Sequence, residues 1–416
     1  MKIAGVKGMN DILPGQVARW QEMERVAREV FALYGYREVR TPVVEPHALF
    51  ARGVGEQTDI VTKEMYVFED KGEERLALRP EGTAGTVRAF IEHGCHVEGL
   101  QKWYYLGAMF RRERPQKGRY RQFHQIGCEV FGIAEPGIDA EQIAMLDDFL
   151  GRLSVRATLK LNSVGDAQCR PPYLADLKTY LRAHAAELCA DCRERTERNP
   201  FRVLDCKVES CQPVLRGAPQ LLDRLCPACR AHFDAVKAAL EQLGVPHAVD
   251  PRLVRGLDYY VRTAYEFTSD VLGSQSAVAG GGRYDGLVEL LGGPAVPGIG
   301  FALGQERLAL MMEASGRESP EPRPEVFLVA ADEAGARAAM SLAASLRKAG
   351  IACDLDPRGG KLKAQFRHAE RVRARYALVL GGNEVASGQV RLKDMQTREE
   401  TPVALAEVAQ RLGGRR

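Results

Sequence analysis

No stretch of the 416-residue sequence approaches the roughly 20 consecutive apolar residues of a membrane span. Its start, MKIAGVKGMNDILPG, lacks the apolar run of a signal peptide. These absences lead to the expectation of a cytoplasmic protein with no membrane partner. An excess of one charge is missing too. The 58 basic and 55 acidic residues leave a formal charge of +3, which permits nucleic-acid binding without predicting it, because attraction depends on local patches. No internal repeat or low-complexity tract is evident. The two commonest nucleotide cradles, GxGxxG after a strand and a P-loop ending in GKS or GKT, are also absent. A nucleotide bound by this chain therefore has to lie on a sheet.

What is present is enough apolar sequence, 45%, for two or three domains. QVARWQEMERVAREVFALY, 16–34, repeats apolar residues at helical spacing, and Gly35 can cap it. YREVRTPVVEP follows as an edge strand, since Pro42 interrupts its row of donors. YVFEDKGEERLALRP reads as a hairpin, and EGTAGTVRAFIEH can start a helix at Thr83. From about 166 to 250 the pattern turns helical, Arg-rich and Cys-rich, and strand-like sequence resumes at 254. That segment reads as an insertion in one sheet domain spanning 1–316. A Pro- and Glu-rich linker, 317–324, leads to 325–416, where short apolar runs alternate with helical patterns, as in a small α/β domain with a largely parallel sheet.

Three segments carry chemistry. In FRRERPQKGRYRQFHQIGCEVFG, 110–132, two strands would present Arg111 and Glu113 on one side and Gln125, Gly127 and Glu129 on the other, around a basic loop. Arginine forks match phosphate or carboxylate oxygens, though a solvated basic hairpin is an equal reading of this segment alone. VAGGGRYDGL and PGIGFALGQERL place glycines at 280, 281, 282, 298, 300 and 304, which suggests close approach of a ligand or another backbone. In RGLDYYVRTAYEF, 255–267, period-two alternation puts Tyr259 with Leu257 and Val261 on a core face, and Tyr260 with Asp258 and Arg262 on a polar face. By that parity Tyr260 is the ligand contact and Tyr259 a packing residue. Arg255 can reach a site at the strand mouth or pair with a carboxylate.

These pieces in this order resemble class II aminoacyl-tRNA synthetases, and specifically the histidyl-tRNA synthetase family, over almost the whole chain. The first helix and TPVVEP look like class motif 1, a dimer element; FRRERPQKGRYRQFHQ looks like motif 2 and PGIGFALGQERL like motif 3. RGLDYY and GGGRYDGL are similar to the two histidine-specific signatures, together with EGT at 81–83. The resemblance implies an α+β protein: an antiparallel-sheet catalytic domain with a helical insertion, then a C-terminal α/β anticodon-binding domain. It implies a homodimeric histidine–tRNA ligase that activates L-histidine with Mg-ATP, releases pyrophosphate, and passes histidine from the adenylate to the 3′ end of tRNA(His).

By the same resemblance Glu81 and Thr83 would bind the α-amino group, and Gln125 and Glu129 would line the histidine pocket, with Glu129 accepting from the imidazole. Tyr259, Tyr260 and Tyr284 would surround the ring. Arg111 would bind the carboxylate and α-phosphate, opposite Arg255, and these two arginines are the catalytic pair. Glu113 would accept from the adenine amino group, Arg121 would touch the γ-phosphate, and Phe123 and Arg307 would sandwich the base. Gly282, Gly300 and Gly304 would let adenosine approach the sheet. In the last domain Lys361, Lys363, Arg367, Arg371 and Arg373 would meet tRNA phosphates.

Six of the ten cysteines lie between 189 and 229. Cys189, Cys192, Cys226 and Cys229 form a CxxC pair of pairs whose spacing suits tetrahedral zinc, yet the family's chemistry does not call for a metal, which favours plain thiols. Two rivals to the ligase stand. A non-ligating synthetase paralogue should have degraded motifs or no C-terminal domain, and neither defect is present. A zinc-stapled RNA-binding module explains the cysteines and basic helix but not three separate ligand motifs.

Overall fold

The apolar spacing near the start does produce a helix, Pro14–Leu33, with proline at its first position, where no backbone donor is needed, and Gly35 at φ 80° just beyond its end. Its buried side, Trp20, Met23, Val26, Val30 and Phe31, packs on one face of a large sheet. These elements belong to a computed structural model, which describes residues 3–413 apart from 57, 276, 318 and 320.

Eight strands make that sheet: β1 (Arg37–Glu38), β2 (Gln101–Phe110), β3 (Gln122–Phe131), β4 (Thr158–Ser163), β5 (His247–Val249), β6 (Val261–Thr268), β7 (Ala277–Arg283) and β8 (Gly298–Gly304). Their order is β1-β2-β3-β8-β7-β6-β4-β5, with the six central strands antiparallel and only the short edges paired in parallel. Alternation along β3 sends Ile126, Cys128 and Val130 into the helix-covered core and leaves Gln125, Gly127 and Glu129 on the opposite face. The residues lining the cavity described below sit on or over that second face.

The single edge strand expected over 36–46 is two strands. β1 holds the sheet edge, whereas Val44–Pro46 joins a separate three-stranded sheet with Arg75–Leu78 and Tyr66–Glu69, on the far side of Pro42. A proline without a donor marks the break. The expected hairpin is formed by the latter two strands, and the Asp70 carboxylate accepts from the Gly72 N–H at 2.7 Å to close its turn.

Between β4 and β5 the chain is helical, as its composition suggests. A small core of its own gathers Tyr173, Leu177, Leu181, Leu188, Val203 and Leu215. The last helix, Pro227–Gln242, instead buries Phe233, Val236 and Leu240 in the main core.

Contacts divide the chain into residues 1–319 and 320–416. In the second unit the sheet order is Cys353–Leu355, Val326–Ala330, Tyr376–Leu380, Gln389–Asp394, Glu400–Ala404. Its first three strands are parallel and the last two antiparallel, so the sheet is mixed rather than largely parallel. Residues 381–388 and 395–399 are too short for parallel crossovers, which take a dozen residues or more. Among the described residues, no helix is long and apolar enough to cross a membrane.

Candidate active site

Over the centre of the sheet lies a cavity of about 230 Å³. Of the residues expected at the site, Glu81, Thr83, Arg111, Glu113, Phe123, Gln125, Arg255, Tyr259, Tyr260, Gly304 and Arg307 all line it. They come from five separate stretches of chain, and the sheet brings them together.

One end is a carboxylate nest at a helix start. The Glu81 carboxylate accepts from the backbone N–H groups of Thr83 (2.6 Å) and Ala84 (2.9 Å), which open the helix Thr83–Glu92. Thr83 Oγ1 donates to Glu129 Oε1 at 2.7 Å, and the Tyr284 hydroxyl donates to Glu129 Oε2. Glu129 is fully buried. Burial pushes its carboxyl up to about 8, against the pull of the hydrogen bonds from Tyr284 and Thr83. Burial also raises Glu81, opposed by the two backbone donors. Glu129 and Tyr284 do not form the cavity wall but its support, and the Tyr259 ring meets Tyr284 edge-on with centroids 5.7 Å apart.

Arginines dominate the other end. Arg255 Nη1 lies 2.7 Å from Glu266 Oε1, and its guanidinium is 5.9 Å from the Tyr260 ring centroid. A Cβ at Gly280 would overlap that guanidinium, so a missing side chain on β7 makes its place. Arg111 anchors Nε on the Pro80 carbonyl at 2.9 Å and lies 5.2 Å from the Phe123 ring centroid. Arg111 thus stands over β3 and Arg255 over β7, with β8 between them. Arg307 holds the Ala277 carbonyl at 2.7 Å and the Gly118 carbonyl at 3.2 Å. Two buried polar atoms of lining residues, Gln125 Oε1 and Arg255 Nε, have no protein partner. Leaving such atoms unpaired is costly, and a polar ligand would satisfy them.

Four expectations need correction. Alternation does not extend back from β6 to the tyrosines, because the strand begins at Val261 and Arg262 has φ 53°, which resets the facing; Tyr259 and Tyr260 both line the cavity. Arg121 is not on the wall: its Nε turns to the Glu113 carbonyl at 3.3 Å, and Arg119 lines the cavity instead, 2.7 Å from Glu113 Oε2. Gly300 does not face open space, since a Cβ there would overlap the Glu129 carboxylate. Gly282, at φ 158°, abuts Thr263 O and Tyr260 on β6 and its approach. These two glycines accommodate protein, and of the three expected at the adenosine only Gly304 lines the cavity.

Several residues escaped sequence reasoning. Glu266 and Gly280, cross-strand neighbours on β6 and β7, jointly seat Arg255. Tyr105 of β2 fills the space over Gly82 and Gly127, where a Cβ would strike its ring. Arg283 is completely buried and binds Asp139 (Nη2 to Oδ2, 2.6 Å), which also contacts His232 at 3.1 Å. That network pins the end of β7 next to Tyr284. The usable signal was GGGRYDG itself: an arginine between three glycines and a tyrosine needs a buried partner.

The cysteines do not assemble as CxxC with CxxC. Cys189 and Cys192 cluster with Cys206 and Cys211, whereas Cys226 and Cys229 meet Asp166 and Cys169 elsewhere. A common site for Cys189, Cys192, Cys226 and Cys229 is therefore excluded by the fold of the insertion.

An antiparallel sheet with arginines poised above it, a motif-2 hairpin and a motif-3 strand and helix together define a class II aminoacyl-tRNA synthetase. Residues 8–308 match the family model described as histidyl-tRNA synthetase, and 325–415 match the anticodon binding domain model. Histidine–tRNA ligases of Anaeromyxobacter dehalogenans and Syntrophotalea carbinolica are 77% and 50% identical, covering 100% and 99% of this chain and 100% and 98% of their own. The apo Staphylococcus aureus histidyl-tRNA synthetase structure is 37% identical, with a TM-score of 0.83 over 99% of this chain and 100% of that one. The chain belongs to the histidyl-tRNA synthetase family, and its activity is the ATP-dependent ligation of histidine to tRNA.

Proposed function

We propose that the cavity over β3, β8 and β7 performs histidine activation, with Arg255 and Arg111 as its catalytic residues. Histidine lies with its imidazole toward Glu129, Gln125 and the tyrosines, and its α-amino group at Glu81 and Thr83. ATP lies along the Phe123, Arg307 and Gly304 side, with Glu113 near the adenine and Arg119, rather than Arg121, reaching the terminal phosphates. The histidine carboxylate attacks the α-phosphorus of Mg-ATP; a new acyl–phosphate bond forms as the bond to the β-phosphate oxygen breaks, and pyrophosphate leaves.

This reaction needs no protein nucleophile. It needs two anions to meet, and at about 4 Å with an effective dielectric near 20 their repulsion is ~4 kcal/mol. Two fixed guanidinium groups on either side offset that term and stabilise charge developing on the phosphoryl oxygens. The observation that carries the reading is the seating of Arg255: a cation on the cavity wall, placed over Gly280 and fixed by Glu266. The test is histidine-dependent ATP–pyrophosphate exchange. Arg255→Ala should lose most exchange while histidine still binds by calorimetry; near-normal exchange would sink the assignment.

The adenylate then acylates the 3′ end of tRNA(His), consistent with a cytoplasmic site of translation. The enzyme works as a homodimer. Val43, Val44, Val67 and Phe68, on and beside the three-stranded sheet, are 38–42% exposed, an apolar group suited to a second copy. Light scattering should give a dimer for the wild type and a monomer for Phe68→Asp; a monomeric wild type would overturn the dimer.

A further inference from the structure

We infer that the insertion carries two separate structural zinc sites: one formed by Cys189, Cys192, Cys206 and Cys211, the other by Asp166, Cys169, Cys226 and Cys229. Within each group the ligand atoms all lie within 4.8 Å of one another. Zinc–sulfur bonds of about 2.3 Å in a tetrahedron imply sulfur–sulfur edges of roughly 3.8 Å. Cys189 Sγ and Cys206 Sγ are 4.0 Å apart, too far for a disulfide, whose bond is about 2 Å, and close to such an edge.

In both groups backbone donors are directed at sulfur. In the first group the N–H of Cys189 points at Cys211 Sγ (3.2 Å) and that of Val208 at Cys206 Sγ (3.4 Å). In the second, the N–H of Asp166 points at Cys169 Sγ (3.3 Å) and that of Cys229 at Cys226 Sγ (3.5 Å). Backbone donors aimed at sulfur stabilise the anionic ligand and orient it. Three ligands of each group are buried, and clustered thiols without a metal, four in the first group and three in the second, would leave these donors aimed at poor acceptors. Sulfur-rich tetrahedral sets select zinc among common divalent ions.

The two sites do different structural work. The four-cysteine site sits inside the small insertion core, which has no strand to stabilise it. The second joins the two ends of the insertion, Asp166 and Cys169 just after β4 and Cys226 and Cys229 at the start of the helix Pro227–Gln242. Next to Cys169, Arg170 donates to the Tyr260 carbonyl and, at 3.1 Å, to the Val164 carbonyl. The second site therefore also steadies the cavity wall.

Elemental analysis of the full chain, purified without added metal or chelator, should find about two zinc ions per chain. Cys206→Ser and Cys226→Ser should each reduce this to about one. X-ray absorption at the zinc edge of the wild type should fit seven sulfur and one oxygen ligands shared by two ions, a reading independent of whether the variants fold. Zinc near one or zero per chain, iron in its place, or a disulfide among the ten cysteines by thiol titration of the denatured protein would each overturn the two-site assignment.

Discussion

Arg255 is held 2.7 Å from Glu266, a residue on the neighbouring strand whose cross-strand partner is Gly280. The carboxylate fixes the guanidinium from one side while the glycine leaves room beneath it. Both side chains are about one-fifth exposed, so the pair is partly screened and its value lies in aim more than in stability. Glu266→Gln should keep the fold and lower kcat for pyrophosphate exchange by about tenfold, the order expected for one charge-assisted hydrogen bond, with a smaller change in KM for histidine. An unchanged kcat would remove Glu266 as a positioning residue.

Gly280→Ala and Gly300→Ala should fail differently. At Gly280 the added methyl meets only the far end of the flexible Arg255 side chain, so the protein folds while the arginine is displaced. A loss of exchange with little change in Tm is expected. At Gly300 the methyl meets the Glu129 carboxylate and the Cys128 carbonyl at 2.7 Å, which is backbone. Overpacking of about 1–3 kcal/mol should appear there as a lower Tm, measured by calorimetry.

The pH behaviour of Glu129 has a definite sign. Its folded-state value of about 8 lies above the ordinary 4.5, so between those limits the native state holds a proton that the unfolded chain releases. The contribution of this group to stability is therefore greatest at low pH and falls as pH rises toward 8. Glu129→Gln, neutral throughout, should lose that slope, and its Tm relative to wild type should rise from pH 5 to pH 9. As the acceptor for the imidazole N–H, Glu129 serves better ionised, so histidine binding should strengthen as pH rises toward about 8, and that dependence should vanish in the variant on calorimetric titration.

The helix Leu362–Arg371 exposes Lys363, Arg367 and Arg371, with Lys361 and Arg373 exposed at its flanks. If three of these meet phosphates, replacing Lys361, Lys363 and Arg367 by alanine should reduce the salt slope of tRNA binding by about 2–3. Pyrophosphate exchange, which needs no tRNA, should be unaffected. An equal loss in both assays would show damage to the fold instead.

Periodicity and composition exposed the first helix, the hairpin at 66–78, the helical insertion and the alternating C-terminal unit, because each rests on contacts local in sequence. The motifs likewise marked eleven cavity residues, because glycines and arginines in strands are conspicuous. Facing and partnership were less legible. Tyr259 read as core because alternation assumes a strand, and Arg262 at φ 53° ends it. Arg121 and Arg119 are two residues apart on a loop, where no periodicity says which turns inward. The cysteine spacing suggested one site, but the insertion folds back so that each CxxC finds partners from another segment.

What the sequence determined by itself was the family and the chemistry it can perform, since the residue types able to bind two anions and an imidazole are written in three motifs. Only the tertiary structure decided which atoms meet. Burial pushes the Glu129 carboxyl up to about 8, while Thr83 and Tyr284 donate to its oxygens and oppose that shift. Arg255 is aimed because Glu266 and Gly280 come into register on adjacent strands. Both effects arise from strand pairing between distant segments, and a pKa or a guanidinium position depends on what surrounds a group in space, which local sequence does not encode.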